Sequence, residues 1–457
     1  MTKKKTTTEK KDKTAVIILA AGLGTRMKSA TPKVLHPLAG RPMVAHLLDT
    51  VAELKPEQVV CVIGDDMDAV RDTVMPFPCV IQKERLGTGH AVLVAKDALS
   101  GFDGDILILY GDSPLISIET ISALKDARAD GHAAAVLGFE TDEPGAYGRL
   151  IADANDSLEA IVEAKEATPE QTKVIFCNSG VMIAESNALW YLLSRVGNDN
   201  AKGEYYLTDV VALARQDGLT CAAVEGDEYE LIGINDRVEL ALAETLVQSD
   251  FRLRAMVGGA TLTDPETVYF SYDTKIGQDV VIGPHVVFGP GVTIDDNVEI
   301  RAYCHIEGAH VAPGAIIGPF ARLRPGAEIG PDAHIGNFVE IKNAVIEEGA
   351  KANHLSYIGD ARVGTKANIG AGTITCNYDG YFKNHTDIGA GAFVGSNTAL
   401  VAPVKVGDGA SIGAGSVITK DVAPDALAIE RSDQKELKGA AKKIRDRKAA
   451  QKAKQRK

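Results

Sequence analysis

Long hydrophobic runs, paired cysteines and a surplus of positive charge are all missing from this sequence. No stretch of about 18 or more apolar residues occurs, which excludes a membrane-spanning helix. The six cysteines, Cys61, Cys79, Cys177, Cys221, Cys304 and Cys376, are scattered and form no C-x-x-C pair. That spacing speaks against a disulfide framework or a zinc site and suits a reducing, cytoplasmic setting. A net charge of −13 argues against general nucleic-acid binding. The opening "MTKKKTTTEKKDK" has lysines but no apolar core behind them. Residues 1–13 therefore read as a disordered basic tail and not as a secretory signal. The far end, "AKKIRDRKAAQKAKQRK", runs against the acidic balance. Residues 431–457 read as a solvated, partly disordered basic tail, with an RNA or membrane contact as the alternative.

What is present is glycine, 45 of them, and two different rhythms across 457 residues, a length that suggests two or three domains. From Ala15 to about Asn235, short apolar runs ("AVIILA", "QVVCVIG", "DILILYGD", "AAAVLGF") alternate with helical patterns ("MVAHLLDTVAEL", "GHAVLVAKDAL"). That alternation predicts a mostly parallel sheet covered on both faces, with ligands beyond the carboxyl ends of its strands. From about Thr261 the apolar residues recur every six positions instead. One series is Ile276, Ile282, Phe288, Ile294, Ile300 and Ile306; a second is Ile317, Leu323, Ile329, Ile335 and Ile341. A third is Ile388, Val394, Leu400, Val406, Ile412 and Ile418. This period marks a parallel β-helix of hexapeptide repeats, with three units to a coil and about nine or ten coils. Between the two rhythms, "DRVELALAETLVQSDFRLRAMVGG" is one amphipathic pattern ended by glycines. The expected divisions are thus 14–236, a linker helix at 237–258, the β-helix at 259–430, and the tail.

In "LAAGLGTRM" a glycine turn follows an apolar strand, so backbone N–H groups can approach an anion closely. No G-K-S/T follows it, so it is not a P-loop, and it lacks the third glycine of a dinucleotide fingerprint. Arg26 and Lys33 add two cations, which suit a triphosphate whose charge must be neutralised during attack. A turn with a solvated arginine is the alternative. Asp112, in "YGDSPL" after another apolar strand, is positioned as a Mg²⁺ ligand or, more plainly, as a helix cap.

Together these segments resemble a sugar-nucleotide pyrophosphorylase. The whole chain is similar to the bacterial bifunctional N-acetylglucosamine-1-phosphate uridylyltransferase/glucosamine-1-phosphate N-acetyltransferases. The resemblance spans about residues 14–431, with "LAAGLGTRM…PKVLH", "LGTGHA", "YGDSPL", "YGRL", "IVEAKEAT", "CNSG" and "GINDR" in the family's order. It implies an α/β Rossmann-like nucleotidyltransferase domain followed by a left-handed parallel β-helix; six-residue spacing alone does not fix the hand. It also implies that Leu19, Ala20 and Gly22 lie along UTP, with Arg26 and Lys33 at the phosphates and Tyr110 and Gly111 in the same site. Gln82, Gly87 and Thr88 would read the uracil, and Asp112 and Asn235 would hold Mg²⁺. Gly148, Glu163 and Asn178 would hold the amino sugar.

In the second half the six-residue rhythm fails at "TCNYDGYFKNHTD", and breaks in a solenoid often map to its binding face. His354, in "NHLSYIGD", is the candidate general base for an amine that must lose a proton to attack a thioester. On a β-helix a histidine is otherwise a solvated surface residue. By the resemblance, Arg324 and Lys342 bind the sugar phosphate and Tyr357 and Asn368 the sugar. Ala371, Asn377, Tyr378, Ser396, Ala414 and Arg431 would line the acetyl-CoA site. His305 and His310 could supply two ligands of a zinc site, but no third ligand is evidently in register. The expected product is UDP-N-acetylglucosamine, for peptidoglycan and lipid A assembly, made by a homotrimer with no nucleic-acid or membrane partner. The rival is a nucleotidyltransferase whose β-helix is only a trimerisation scaffold.

Overall fold

The computed structural model describes residues 13–153 and 157–455, so the expected N-terminal tail lies outside the described residues except for Lys13. The chain divides into two compact units, one ending at Phe251 and the other beginning at Arg252.

The first unit is built on β1 (Thr14–Leu19), β2 (Gln58–Gly64), β3 (Cys79–Gln82), β4 (Asp105–Tyr110), β5 (Ala134–Glu140), β6 (Arg149–Ala152), β7 (Leu158–Val162), β8 (Phe176–Glu185) and β9 (Cys221–Glu225). The main path of the sheet runs β9-β5-β8-β4-β1-β2-β3, with β6 and β7 attached beside β8. β1 pairs in parallel with both β2 and β4, and β2 with β3. The sequence did not signal β8, which runs antiparallel between β4 and β5. Strand residues alternate between two apolar layers: Ala15 and Ile17 pack on one face, Val16 and Ile18 on the other. Burial on both faces explains why β1 reads as an unbroken apolar run. The helix Met43–Leu54 forms as the pattern predicts, burying Met43, Val44, Leu47, Leu48 and Val51 on one side. The second expected helix is shorter, Thr88–Val94, because Ala95 and Lys96 tighten onto Val92 and Leu93 carbonyls through bonds three residues back.

Because β1 to β4 are parallel, their carboxyl ends share one edge. The loops at 20–24, 64–67, 83–87 and 111–113 emerge together there, which is where both glycine-and-charge motifs fall.

The second unit is a parallel β-helix. One face stacks ten strands in register, running Leu262, Ile282, Ile300, Ile317, Ile335, Ala352, Ile369, Val394, Ile412 and Ala428. The step from one strand to the next lengthens between Ile369 and Val394, where the polar loop is inserted. The apolar residues of all three six-residue series are buried except Ile276, which is half-buried. One such side chain contributes about 1.5–3 kcal/mol, whereas ordering each of its six residues costs about 1–2 kcal/mol. A coil therefore cannot stand alone; it holds only when neighbouring coils add ladder hydrogen bonds and cover its ends.

The amphipathic segment between the rhythms forms the helix Arg237–Val257. The C-terminal expectation needs correction. The tail is solvated as expected, and within it Ala440–Gln455 forms a helix that was not anticipated, exposed along nearly its whole length. Alanine, lysine, arginine and glutamine are all strong helix formers, which the charge-based reading ignored.

Candidate active sites

At the carboxyl edge of the first sheet lies a cleft of about 320 Å³ lined by Leu19, Ala20, Gly22, Lys33, Gln82, Gly87, Thr88, Tyr110 and Asp112, among others. The glycine turn shapes one wall. Gly24 has φ +61°, and a Cβ there would stand 2.5 Å from the Lys33 Cβ, so only glycine lets the loop pass so close. Lys33 forms a close ion pair with Asp112, and its Nζ also donates to Asn235 Oδ1 at 3.1 Å. Lys33, Asp112 and Asn235, three of the residues expected to act on phosphate and metal, thus meet at one point, although Lys33 and Asn235 lie 202 residues apart. The backbone reinforces this, since Ile234 N–H donates to the Asp112 carbonyl at 2.8 Å. At the other end of the cleft the buried Gln82 donates to the Gly87 carbonyl at 3.2 Å, and Leu207 N–H donates to Thr88 Oγ1 at 3.1 Å.

A second recess, of about 470 Å³, is lined by Arg26, Glu163, Lys165, Glu166, Lys202 and Tyr206, among others. Arg26 therefore sits with Glu163 and is not among the cleft-lining residues. Burial pushes the Glu163 carboxyl above its ordinary range, with Glu166 and Asp209 adding to the effect and Lys202 opposing it. Gly148 and Asn178 meet through an Asn178 N–H to Gly148 carbonyl bond of 2.8 Å.

On the β-helix, His354 ends the strand Lys351–His354 and pairs in register with Asn337 one coil earlier. Its Nδ1 lies 2.7 Å from Asn337 Oδ1. With Asn337 Oδ1 as the acceptor, Nδ1–H donates to it, which in the neutral imidazole leaves the lone pair on Nε2. On the β-helix, three cations also converge. Lys342 is held below the ordinary lysine range, first by Lys383 beside it and then by Arg324. Arg324 is paired with Glu340 at 2.8 Å. Asp360 is buried, which raises its pKa, yet hydrogen bonds from Asn343 (2.6 Å) and Asn377 (2.5 Å) and the charges of Lys383 and Lys342 outweigh this and hold it low.

Lys383, Asp360 and Asn343 were not singled out from sequence. Lys383 had a signal, as it is the one lysine in the loop that interrupts the repeat. The Asn377 side chain turns inward to Asp360 and lies 3.4 Å from the Tyr357 hydroxyl. It joins Tyr357 and Asp360 and not the outer edge. Asn368 lies one coil beyond Lys351, on the same sheet as His354. The remaining acetyl-CoA candidates follow one edge of the shaft: Asn397 N–H bonds the Ala371 carbonyl, Gly415 N–H the Ser396 carbonyl, and Arg431 Nη1 the Ala414 carbonyl at 2.5 Å. Tyr378 is exposed on the inserted loop.

His310 is already engaged with carboxylates, Asp295 at 2.8 Å and Glu328 at 3.4 Å. Among the described residues no group of three or more His, Cys, Asp or Glu is arranged to hold a metal ion. Nor is any described helix long and apolar enough to cross a membrane.

Comparison with known proteins agrees with both halves. Residues 16–174 match the MobA-like NTP transferase domain. Residues 273–308, 308–343 and 385–420 match the bacterial transferase hexapeptide (six repeats), in keeping with the left-handed wind expected from the resemblance. The chain is 64% identical to the bifunctional protein GlmU of Paramagnetospirillum magneticum, over 97% of this chain and 99% of that protein. It is 62% identical to the Rhodospirillum rubrum protein of the same name over 95% of this chain and 97% of the other. Against that of Zymomonas mobilis the identity is 51%, over 95% and 98%.

The cation cluster makes a prediction of its own. Lys342 is depressed by like charge, so Lys383→Ala should raise its pKa toward the ordinary lysine value. NMR titration of the Lys342 side chain reads this directly, and an unchanged value would show that the two ammonium groups do not interact.

Proposed function

The chain belongs to the family of bifunctional GlmU proteins, and from that premise we propose how its residues divide the work. It is a bifunctional transferase that makes UDP-N-acetylglucosamine. Acetyl passes from acetyl-CoA to glucosamine 1-phosphate, and a uridylyl group then passes from UTP to N-acetylglucosamine 1-phosphate with release of pyrophosphate. The observation that carries the assignment is the pairing of two constellations: in one unit, Lys33 between Asp112 and Asn235; in the other, His354 backed by Asn337 and the cation group of Arg324, Lys342 and Lys383.

In the cleft, Gln82, Gly87 and Thr88 hold the uracil, and the backbone at Leu19, Ala20 and Gly22 follows the nucleotide, with Tyr110 and Gly111 beneath it. Gly148, Glu163 and Asn178 hold the amino sugar. A 1-phosphate oxygen of the sugar bonds to the α-phosphorus of UTP while the bond to the β-phosphate oxygen breaks. Positioning and charge neutralisation carry the step, by Lys33 in the cleft and by Arg26 from the recess that it shares with Glu163, with no covalent intermediate on the protein. Asp112 and Asn235 direct two hard oxygens at one cationic point, the Lys33 ammonium, and that donor set suits Mg²⁺. When bound there, Mg²⁺ would supply further neutralisation of phosphate charge.

At the second site Arg324, Lys342 and Lys383 hold the sugar phosphate, and Tyr357 and Asn368 the ring. His354 Nε2 takes a proton from the amine as the nitrogen attacks the thioester carbonyl. The C–N bond forms, the C–S bond breaks, and the CoA thiol leaves. Ala371, Ser396, Ala414 and Arg431 line the CoA edge, with Tyr378 and the Asn377 backbone contributed by the loop. The scattered free cysteines fit a cytoplasmic enzyme.

The assembly is a homotrimer in this reading. Two uncovered apolar features support it. At one corner of the β-helix, His285, Tyr303, Phe320 and Phe338 stack at centroid distances of 4.8, 4.8 and 5.2 Å, and exposed Leu355 follows. The loop adds Tyr381 and Phe382, 88% and 73% exposed. Monomers seldom leave such surfaces bare, and cyclic symmetry covers the same row in every copy. Each acetyl-transfer site is then shared between subunits, and each uridylyl site lies within one chain.

Single substitutions should separate the activities. Asp112→Asn should lower uridylyl transfer by orders of magnitude and spare thiol release from acetyl-CoA; near-normal uridylyl turnover would refute the role given to Asp112. His354→Ala should do the reverse. Absence of glucosamine 1-phosphate-dependent thiol release in the unaltered protein would instead leave the β-helix a scaffold. For the shared site, mixing His354→Ala with Tyr378→Ala chains should restore part of the acetyl transfer that each lacks. No recovery in mixed trimers would place the whole site in one subunit.

A further inference from the structure

Arg85 was not among the residues picked out from sequence, yet its guanidinium ties together three strand ends at the cleft. It stands in the loop after β3, two residues before Gly87. Its Nε–H donates to the Ala21 carbonyl at 2.7 Å, in the glycine loop that follows β1. Its Nη2 lies 3.2 Å from Asp66 Oδ1, in the loop after β2. The same Nη2 rests against Gly64 at the end of β2, where an added methyl group would collide with it. Arg85 lines the cleft together with Ala21, Gly22, Gln82 and Gly87.

We propose that Arg85 is a positioning residue that clamps the phosphate-side loop at Ala21 to the base-side loop at Gln82–Thr88 and so sets the affinity of the cleft for UTP. The inference rests on the reading of this cleft as the UTP site. The two loops follow different strands, and residues 20–24 and 83–87 are in neither helix nor strand. A charged donor bonded to a backbone carbonyl in a part-buried place is among the stronger hydrogen bonds available to join them. The Asp66 contact is weaker in effect, because that carboxylate is 78% exposed and exposed ion pairs contribute little. Glycine at position 64 belongs to the same device, since it leaves room for the guanidinium to lie flat across the end of β2.

The test uses the full-length protein and measures UTP binding by calorimetry, KM and kcat for uridylyl transfer, and acetyl transfer as the control for folding. Arg85→Ala should raise the UTP Kd and KM about tenfold or more, the factor expected from losing a charge-assisted hydrogen bond, while kcat stays within about threefold. Gly64→Ala keeps the arginine and its charge but denies it its seat, so it should reproduce the rise in KM. The double variant should be no worse than either single one, as expected of residues acting through one contact. Arg85→Lys should recover part of the affinity, and Asp66→Ala should stay within about twofold of the unaltered protein. A UTP Kd within twofold for Arg85→Ala would overturn the clamp, as would a loss confined to kcat. A Gly64→Ala protein with normal UTP affinity would overturn it too, leaving Arg85 a simple charge. If the unaltered protein fails to bind UTP at all, it is the reading of the cleft that falls.

Discussion

In-register parallel pairing is the constraint on which both sites depend. In the first unit it sends the ends of β1 to β4 to one edge, so that residues far apart in the chain meet at the strand ends and in the loops that follow them. In the second it repeats each position one coil later, so a residue acquires its partner from the coil before. His354 faces Asn337 for this reason, and Tyr357 follows Glu340. A slip of one residue in either place would turn the side chain to the opposite face and dissolve the site.

The scaffold then gathers like charge on its surface. Lys342, Lys383 and Arg324 stand close enough to depress Lys342 despite Asp360 nearby, and in the reading proposed above a phosphate dianion would relieve that repulsion. The cleft makes the opposite choice, with Lys33 balanced by Asp112 and Asn235 before any ligand arrives. Tension of this kind is what the proposed anion-binding role predicts, and the buried shaft supplies the stability that tolerates it.

Much of this was legible in the sequence because it is periodic or local. The six-residue series mapped onto the buried shaft, and the glycine turn before Lys33 and the aspartate after β4 fell together in one cleft at the carboxyl edge of the sheet. Lys383 was harder to find because a loop has no period, and its meaning comes from Lys342 forty-one residues earlier. Arg85 carried no signal as a clamp, since its partner is a backbone carbonyl and any residue at position 21 presents one. β8 was missed because it is antiparallel in a sheet otherwise read as parallel, and its "CNSGV" stretch breaks the apolar run. The helical tail was misread because charge, not propensity, guided the reading.

The account's central claim is that one chain carries two complete transferase chemistries that act in a fixed order. It is tested most directly by a mass-resolved time course with UTP, acetyl-CoA and glucosamine 1-phosphate supplied together. N-acetylglucosamine 1-phosphate should appear first, matched by free CoA thiol, and UDP-N-acetylglucosamine and pyrophosphate should follow in equal amounts. Accumulation of UDP-glucosamine, or a UDP-sugar formed without thiol release, would contradict the account.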